Sequence, residues 1–341
     1  MVGGAGRATV RSLGEVSEDV KQMVEDVRAG LLGVPKDLSP WPKYFYDEKG
    51  SELFEEITVL PEYYQTRTEL LILRDKAPEI LARTGCRELV ELGSGSSSKT
   101  RILLDAMLDA GEGLVRYVPF DVSESALRES GERLLEEYPG LRISGCIGDF
   151  KRSLGGFLGE LAGTDTGERH GGRLVILLGG TIGNFPPERR CSFLSELRAG
   201  LDPGDHLLIG ADLVKDLRIL KAAYNDGAGV TARFNKNLLK VINERLGGEF
   251  DPNLFVHRAS YDATEDRVEM WLCSTVDQEV RIPDLDLEAR FEAGEGMRTE
   301  ISTKFTPESV RRMFDEVGIA LLNIHRDDEN LFGLALGKAE A

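Results

Sequence analysis

From Glu88 onward the chain alternates between short, continuous apolar runs and longer stretches whose apolar residues recur at helical spacing. The apolar runs are Glu88 to Leu92, Val115 to Phe120, Leu141 to Ile147, Leu174 to Leu178 and His206 to Ala211. Helices are predicted between them, clearest from about Lys99 to Ala110 and from Ser123 to Glu137. Continuous apolar strands separated by helices predict a parallel sheet buried on both faces, and so an α/β fold. Upstream, a polar helical stretch runs from about Ser17 to Leu32. A segment rich in proline and aromatics follows, with Trp41, Tyr44, Phe45, Tyr46, Phe54, Tyr63 and Tyr64. A helix from about Thr66 to Arg83 leads into the first strand. Gly155 to Gly172 reads as an exposed loop or frayed helix.

The pattern changes after the fifth run. A helical region spans about Val214 to Leu246, broken by Asn225-Asp226-Gly227-Ala228-Gly229. Thr231 can cap its second half, and Gly247-Gly248 ends it. Strand-like segments without intervening helices come next: Leu254 to Tyr261, Arg267 to Ser274, Leu287 to Phe291 and Met297 to Thr303. Asp262 to Asp266 reads as a hairpin turn, so this part is an antiparallel insertion. A helix after Thr306 and strands near Ala320 to His325 and Leu331 to Leu336 then complete the first sheet. Two discontinuous domains are expected. One comprises 68–213 plus 304–341, the other 12–67 plus 214–303, with 1–11 a flexible N-terminus.

The 341 residues are 41% hydrophobic and 30% charged, a soluble globular balance. The net charge of −17 argues against nucleic acid, whose phosphates call for Lys and Arg. No apolar run is long enough to cross a membrane, and Met1 to Gly6 does not read as a signal peptide. The four cysteines show no CxxC pair and read as reduced thiols of a cytoplasmic protein. The four histidines are equally scattered, so no metal site is expected. Nothing in the sequence sets the oligomeric state, and a monomer is compatible with it.

Glu91-Leu92-Gly93-Ser94-Gly95-Ser96 follows the first strand and opens a helix. Its glycines permit a sharp turn and close approach to a ligand, and the helix start offers free N–H groups. Asp121 ends the second strand, where a carboxylate can accept both hydroxyls of a ribose. Asp149 follows the third, where it can accept from an adenine amino group, and Phe150 can cover that ring. Each aspartate can instead be a helix N-cap. A nicotinamide cofactor fits less well. Ser98 stands where GxGxxG needs its third glycine, and Asp121 lies 28 residues beyond Gly93 rather than about 20. S-adenosylmethionine (SAM) has no pyrophosphate and needs no third glycine. Lys99 or the backbone around Gly93 can meet its carboxylate.

With these residues in view, the chain resembles the histidine Nα-methyltransferases of ergothioneine biosynthesis. The resemblance runs from about Tyr44 to Gly337. It is strongest at Leu60-Pro61-Glu62-Tyr63-Tyr64, at the Gly93 turn, at Gly180-Thr181-Ile182-Gly183-Asn184-Phe185 and at Arg298-Thr299-Glu300-Ile301-Ser302. It implies a class I (Rossmann-like) SAM methyltransferase sheet with an inserted α+β substrate-binding domain. It also implies three methyl transfers from SAM to the α-nitrogen of L-histidine, giving hercynine and S-adenosylhomocysteine. Gly93, Lys99, Asp121, Asp149 and Phe150 are implied to hold SAM. Tyr46, Tyr63, Asn184 and Tyr224 are implied to hold the amino acid's carboxylate and amine. Glu300 and Ser302 are implied to hold the imidazole, with Thr231 and Met270 nearby.

The residues read on their own keep alternatives open. Tyr63 and Asn184 can orient an amine, and either Tyr63 or a water can take its proton. Tyr63 can equally be aromatic packing, and Asn184 a residue tolerating a left-handed turn. Tyr224 shares a helix face with Leu217 and Leu220 and can be core or cleft edge. Met270 alone is ordinary core. Glu300 and Ser302, two apart on a strand, point the same way, and Arg298 on that face is an obvious ion-pair partner for Glu300. If the face lines a cleft, Glu300 accepts an imidazole N–H and Ser302 serves the other nitrogen in either direction. Methylation of another amino acid or small amine, a nicotinamide-dependent oxidoreductase and a non-catalytic binding protein are the competing functions.

Overall fold

The apolar runs pair side by side in a computed structural model that describes residues 8–12, 16–95, 97, 99–109, 116–149, 154–163 and 172–340. In chain order the strands are β1 (Ala8–Ser12), β2 (Lys36–Asp37), β3 (Glu88–Leu92), β4 (Arg116–Asp121), β5 (Arg142–Ile147), β6 (Arg173–Leu177) and β7 (His206–Asp212). Then follow β8 (Phe255–Asp262), β9 (Arg267–Ser274), β10 (Gln278–Ile282), β11 (Leu287–Phe291), β12 (Gly296–Thr303), β13 (Ile319–Arg326) and β14 (Phe332–Ala339). The helices are α1 (Val16–Leu32), α2 (Glu48–Thr58), α3 (Tyr64–Thr84), α4 (Thr100–Asp109) and α5 (Glu124–Glu137). They continue with α6 (Leu154–Gly163), α7 (Pro187–Ala199), α8 (Leu217–Ala223), α9 (Val230–Leu246) and α10 (Pro307–Asp315).

The large sheet has the order β1-β5-β4-β3-β6-β7-β14-β13. Its pairs are parallel from β1 to β7, and β14 runs antiparallel between β7 and β13. Strands in its middle bury both faces, which is why they read as unbroken apolar runs. In β6, Val175 and Leu177 join the core layer that contains Phe157, Leu197 and Phe314. Leu174 and Ile176, one residue out of step, join the opposite layer with Leu73, Leu104 and Leu134. The strand order reverses between β3 and β6, which opens a crevice at the carboxyl ends of these strands.

A smaller sheet, β2-β12-β9-β8, carries the antiparallel insertion. Its core joins α1, α2 and α9 through Met23, Val27, Leu53, Phe234 and Leu238. The aromatic-rich segment packs here, with Phe45 stacked on Phe234 at 4.8 Å.

Several elements depart from the sequence expectations. The expected flexible N-terminus is, over Ala8–Ser12, an edge strand on β5, while residues 1–7 lie outside the described residues. The segment expected as an exposed loop or frayed helix is helical over α6, but not exposed: α6 buries Leu154, Phe157 and Leu158 under the large sheet. Asp226, not Thr231, caps α9: its carboxylate accepts the Val230 and Thr231 N–H groups at 2.9 and 2.8 Å. Leu217 is exposed, so Leu220 and Tyr224 meet the core without it. β10, not foreseen, pairs with β11 as a two-stranded ribbon. The four cysteines are free, and Cys191 is the exposed one.

The two large elements of the fold meet where the turn after β6 presses on β12. A 3₁₀ turn over Thr181–Asn184 follows two left-handed glycines, Gly179 and Gly180. A Cβ on Gly183 would lie 2.7 Å from the Thr303 carbonyl oxygen, so only glycine fits. Gly183→Ala is expected to destabilise the protein by about 1–3 kcal/mol through this backbone clash. Gly131→Ala in α5, where a Cβ meets nothing within 4 Å, is the matched control and should be neutral or stabilising. Urea denaturation of both variants checks the pair; equal midpoints would contradict the contact.

Candidate active site

The Gly93 turn takes its shape from two positive φ angles, 77° at Gly93 and 46° at Gly95. The Gly93 N–H donates to the Phe120 carbonyl at 2.7 Å, which ties the turn to the neighbouring strand β4. Asp121, the last residue of β4, accepts the Gly95 N–H at 2.9 Å and the Ser123 N–H at 3.0 Å. Its burial raises its pKa despite these N–H groups. Ser123, not Asp121, caps α5 by accepting from the Ala126 N–H. Asp121 is therefore oriented by backbone donors at the crevice and is free of the helix-capping role.

Around this turn, charges are neutralised in pairs. Lys99 sits 2.5 Å from Glu69, a fully buried carboxylate on α3. Glu69 also accepts the Gly179 N–H with both oxygens at 3.0 Å. Asp149, beyond β5, forms an ion pair with Lys43 at 2.7 Å. Glu91 accepts hydroxyl protons from Thr100 and Tyr117 at 2.5 Å each, and burial pushes its carboxyl up to about 7. Phe150 lies outside the described residues.

One cavity of about 560 Å³ joins this turn to the small sheet. Gly93, Lys99, Asp121 and Asp149 line it, and so do Tyr46, Tyr63, Asn184, Tyr224, Thr231, Met270, Glu300 and Ser302. All the site residues expected from sequence and described by the structure thus face one space. Among the described residues, the buried Ser94 hydroxyl on its wall has no hydrogen-bond partner. Buried polar atoms are rarely left so, and a polar ligand would satisfy it. A left-handed glycine turn, an acceptor carboxylate held for hydroxyls and an orphan Ser94 hydroxyl fit an adenosyl amino acid.

The substrate-facing side depends on an irregularity in β12. Its pairing with β9 slips between Arg298 and Glu300, so that Arg298 lies opposite Trp271 while Glu300 lies opposite Met270. A bulge of one residue turns a side chain to the other face. Arg298 therefore does not pair with Glu300, as its even spacing suggested. It binds Glu269 at 2.8 Å and Asp37 at 2.5 Å on the far side. Glu300, left facing the cavity without that cation, is pushed up to about 7 by burial, and Lys304 draws it back only in part.

Beneath Glu300 and Ser302 lies a buried network that sequence reading missed. Asp212, the last residue of β7, pairs with Lys304 at 2.8 Å and with Lys215, and Tyr64 donates to it at 2.7 Å. Burial raises Asp212, but the two ammonium groups outweigh it and hold the carboxyl below its ordinary range. Lys304 also donates to Tyr224 at 2.8 Å and to Ser302 at 2.7 Å. Asp212 was findable, because ligands gather at the carboxyl ends of parallel strands. Lys304 continues the Glu300–Ser302 alternation. Glu69 gave no local signal, since its partners are 30 and 110 residues away. Burial raises the phenol pKa values of Tyr46, Tyr63 and Tyr224 as well.

Seven strands of the large sheet, β5-β4-β3-β6-β7-β14-β13, have the order and the single reversed strand of class I SAM-dependent methyltransferases. The crevice at their carboxyl ends, continuous with a cavity that reaches polar side chains of the small sheet, suits that class. Within it the chain belongs to the SAM-dependent histidine-specific methyltransferase family, whose model matches residues 23–339. It is 50% identical to the histidine N-alpha-methyltransferase of Mycolicibacterium smegmatis over 91% of this chain and 93% of that one. The Mycobacterium tuberculosis protein of the same name is 46% identical over the same shares. The ergothioneine biosynthesis protein 1 of Schizosaccharomyces pombe is 33% identical over 64% of this chain and 28% of that one. The family assignment makes SAM, rather than a nicotinamide, the cofactor.

Removing one partner from a buried charge cluster leaves the others uncompensated. Asp212→Ala would set Lys304 and Lys215 against each other in the interior, at an expected cost of about 3–5 kcal/mol. Denaturant titration at pH 7.5 measures this. Asp212→Leu combined with Lys304→Met should recover part of the loss; a double variant worse than the sum of its singles would contradict the network.

Proposed function

We propose that this protein transfers three methyl groups from SAM to the α-amino nitrogen of L-histidine, forming hercynine and opening ergothioneine biosynthesis. The observation that carries this is the placement of Glu300 and Ser302 on the cavity side of β12, in one space with the Gly93 turn and Asp121. The names borne by the relatives support the same reaction. We assign SAM to the crevice of the large sheet, held by Gly93, Lys99, Asp121 and Asp149. The small sheet, with α1, α2 and α9, then forms the substrate-binding part. Four free cysteines suit a reducing, cytoplasmic setting.

SAM supplies an activated methyl group on a sulfonium, so the protein's task is alignment and a free lone pair. Tyr46, Tyr63 and Asn184 present hydroxyl and amide groups for the carboxylate and amine of the amino acid, and Tyr224, whose proton goes to Ser302, serves the amine as an acceptor. Tyr63 keeps its proton at neutral pH, because burial raises the phenol well above its usual value. It therefore orients the nitrogen as a hydrogen-bond partner, and the ammonium proton leaves by way of water. Glu300 accepts an imidazole N–H. A ring without that group would leave Glu300 buried and unpaired, which discriminates against it.

Mass spectrometry of products from purified protein, SAM and L-histidine tests the reaction; a gain of three methyl groups is expected, and no methylated histidine would sink it. Glu300→Ala should raise KM for histidine by about 10–100-fold, the loss of one hydrogen bond to a charged group. SAM affinity should stay within about twofold in that variant. An unchanged histidine KM would contradict the imidazole assignment.

Glu300 also predicts a pH dependence. Its folded pKa of about 7 lies above the ordinary carboxyl range, so the empty site takes up a proton as pH falls through 7. Histidine KM should therefore rise below pH 7, and this dependence should weaken in Glu300→Gln. The raised value also means that ionised Glu300 costs stability above pH 7. Glu300→Gln should melt higher than the parent at pH 8 and equally at about pH 3, below both the folded and the ordinary carboxyl values.

A further inference from the structure

The Ser302 hydroxyl has two lone pairs and one proton. Tyr224 donates to its oxygen across 2.8 Å, and Lys304 donates across 2.7 Å. Both lone pairs are used, so the Ser302 proton must point away from both donors, on the side where Ser302 lines the cavity. The direction of these bonds is set from below. Lys304 is fully buried, and its three N–H groups go to Ser302, to the Tyr224 oxygen at 2.8 Å and to Asp212 at 2.8 Å. Tyr224, already accepting from Lys304, has its proton left for Ser302. Lys304 has no lone pair, so the bonds it donates cannot reverse, and the bond between the two hydroxyls runs from Tyr224 to Ser302.

We propose that Lys304 is a positioning residue that fixes Ser302 as a hydrogen-bond donor, so that the site selects a neutral imidazole in one tautomer. The inference rests on histidine being the substrate. A neutral ring has one N–H and one bare nitrogen. Its N–H meets ionised Glu300, which can only accept, and its bare nitrogen receives the Ser302 proton. An imidazolium has two N–H groups and would set one against a hydroxyl with no lone pair to offer. The other neutral tautomer would place a bare nitrogen against Glu300 and an N–H against Ser302.

Charge alone would not make this choice, because Glu300 favours the cation. The groups around the ring's site are Glu300 on β12, Lys304 just after it, Asp212 on β7 and Lys215 just beyond that strand. The phenols of Tyr46, Tyr63, Tyr64 and Tyr224 complete the set, and burial keeps all four protonated. Asp212 is outnumbered by its two lysines, and the net positive charge they leave offsets the pull of Glu300 on a cation. The saturated Ser302 oxygen is what rejects the second N–H.

The test is NMR of ring-¹⁵N-labelled L-histidine bound to the full chain with S-adenosylhomocysteine. In the wild type, one nitrogen should give a protonated-type shift and the other a bare-type shift. That pattern should persist at pH 6, below the free ring's value of about 6.5. In Lys304→Met the bound ring should become a tautomer mixture or protonate at higher pH. Histidine KM should rise about tenfold in that variant, the effect of one unmade hydrogen bond, with S-adenosylhomocysteine binding within about twofold. A wild-type ring bound as imidazolium or as mixed tautomers at pH 6 overturns the proposal, as does a Lys304→Met variant with the wild-type spectrum and KM. If Lys304→Met does not fold, Tyr224→Phe frees one lone pair of Ser302 while leaving Lys304 on Asp212, and the same spectra decide. A wild type that binds S-adenosylhomocysteine but gives no bound histidine signal overturns the histidine reading itself.

Discussion

A single buried carboxylate between two ammonium groups sets how the two sheets meet. Asp212 ends β7, the last parallel strand of the large sheet in chain order, and Lys304 leaves the last strand of the small one. Burying either charge alone is costly, but together they are compensated, and only at short range. The backbone follows the side chains: the Phe305 N–H donates to the Asp212 carbonyl at 2.8 Å, and the Val214 N–H donates to the Phe305 carbonyl at 2.9 Å. The carboxyl-end crevice of one sheet and the Glu300–Ser302 face of the other are thereby brought to the same cavity. Methyl transfer between two bound molecules needs that registration more than it needs a strong acid or base.

Compensation is used unevenly across the cavity. Lys99 is matched by Glu69, Asp149 by Lys43 and Asp212 by two lysines. Glu300 lacks a partner of that kind, because the bulge in its strand sends Arg298 to the opposite face. Its pKa of about 7 is the physical trace of that omission. An acceptor that is poorly satisfied by the protein is well placed to be satisfied by a ligand, and it discriminates against ligands that cannot do so. The protein thus accepts a local loss of stability where it gains selectivity, as functional sites commonly do.

Much of this was legible without coordinates. Periodicity alone marked five of the six parallel strands to within a residue or two and the antiparallel insertion after them. The positions of Gly93, Asp121 and Asp149 at successive strand ends pointed to an adenosine. The resemblance to known methyltransferases supplied Tyr46, Tyr63, Asn184, Tyr224, Glu300 and Ser302, and the structure places all six on the cavity wall. Harder to read were elements whose signal is weak or shared. α6 is short and glycine-rich, and the five residues of β1 are stabilised as a strand only by pairing with β5.

The sequence by itself determined the strands, the helices, the ligand-approach turn and the chemistry available at strand ends, because each depends on spacing within a few residues. Tertiary structure alone decided which charges meet. Glu69 finds Lys99 across 30 positions and Gly179 across 110, and Asp212 finds Lys304 across 92. No local pattern encodes such pairs, because they form only when separate elements are packed together. Register was decided there too. Even spacing put Arg298 beside Glu300, and one slipped pair in the ladder separated them. The side-chain period in a strand is two, so a one-residue irregularity reverses what faces the site.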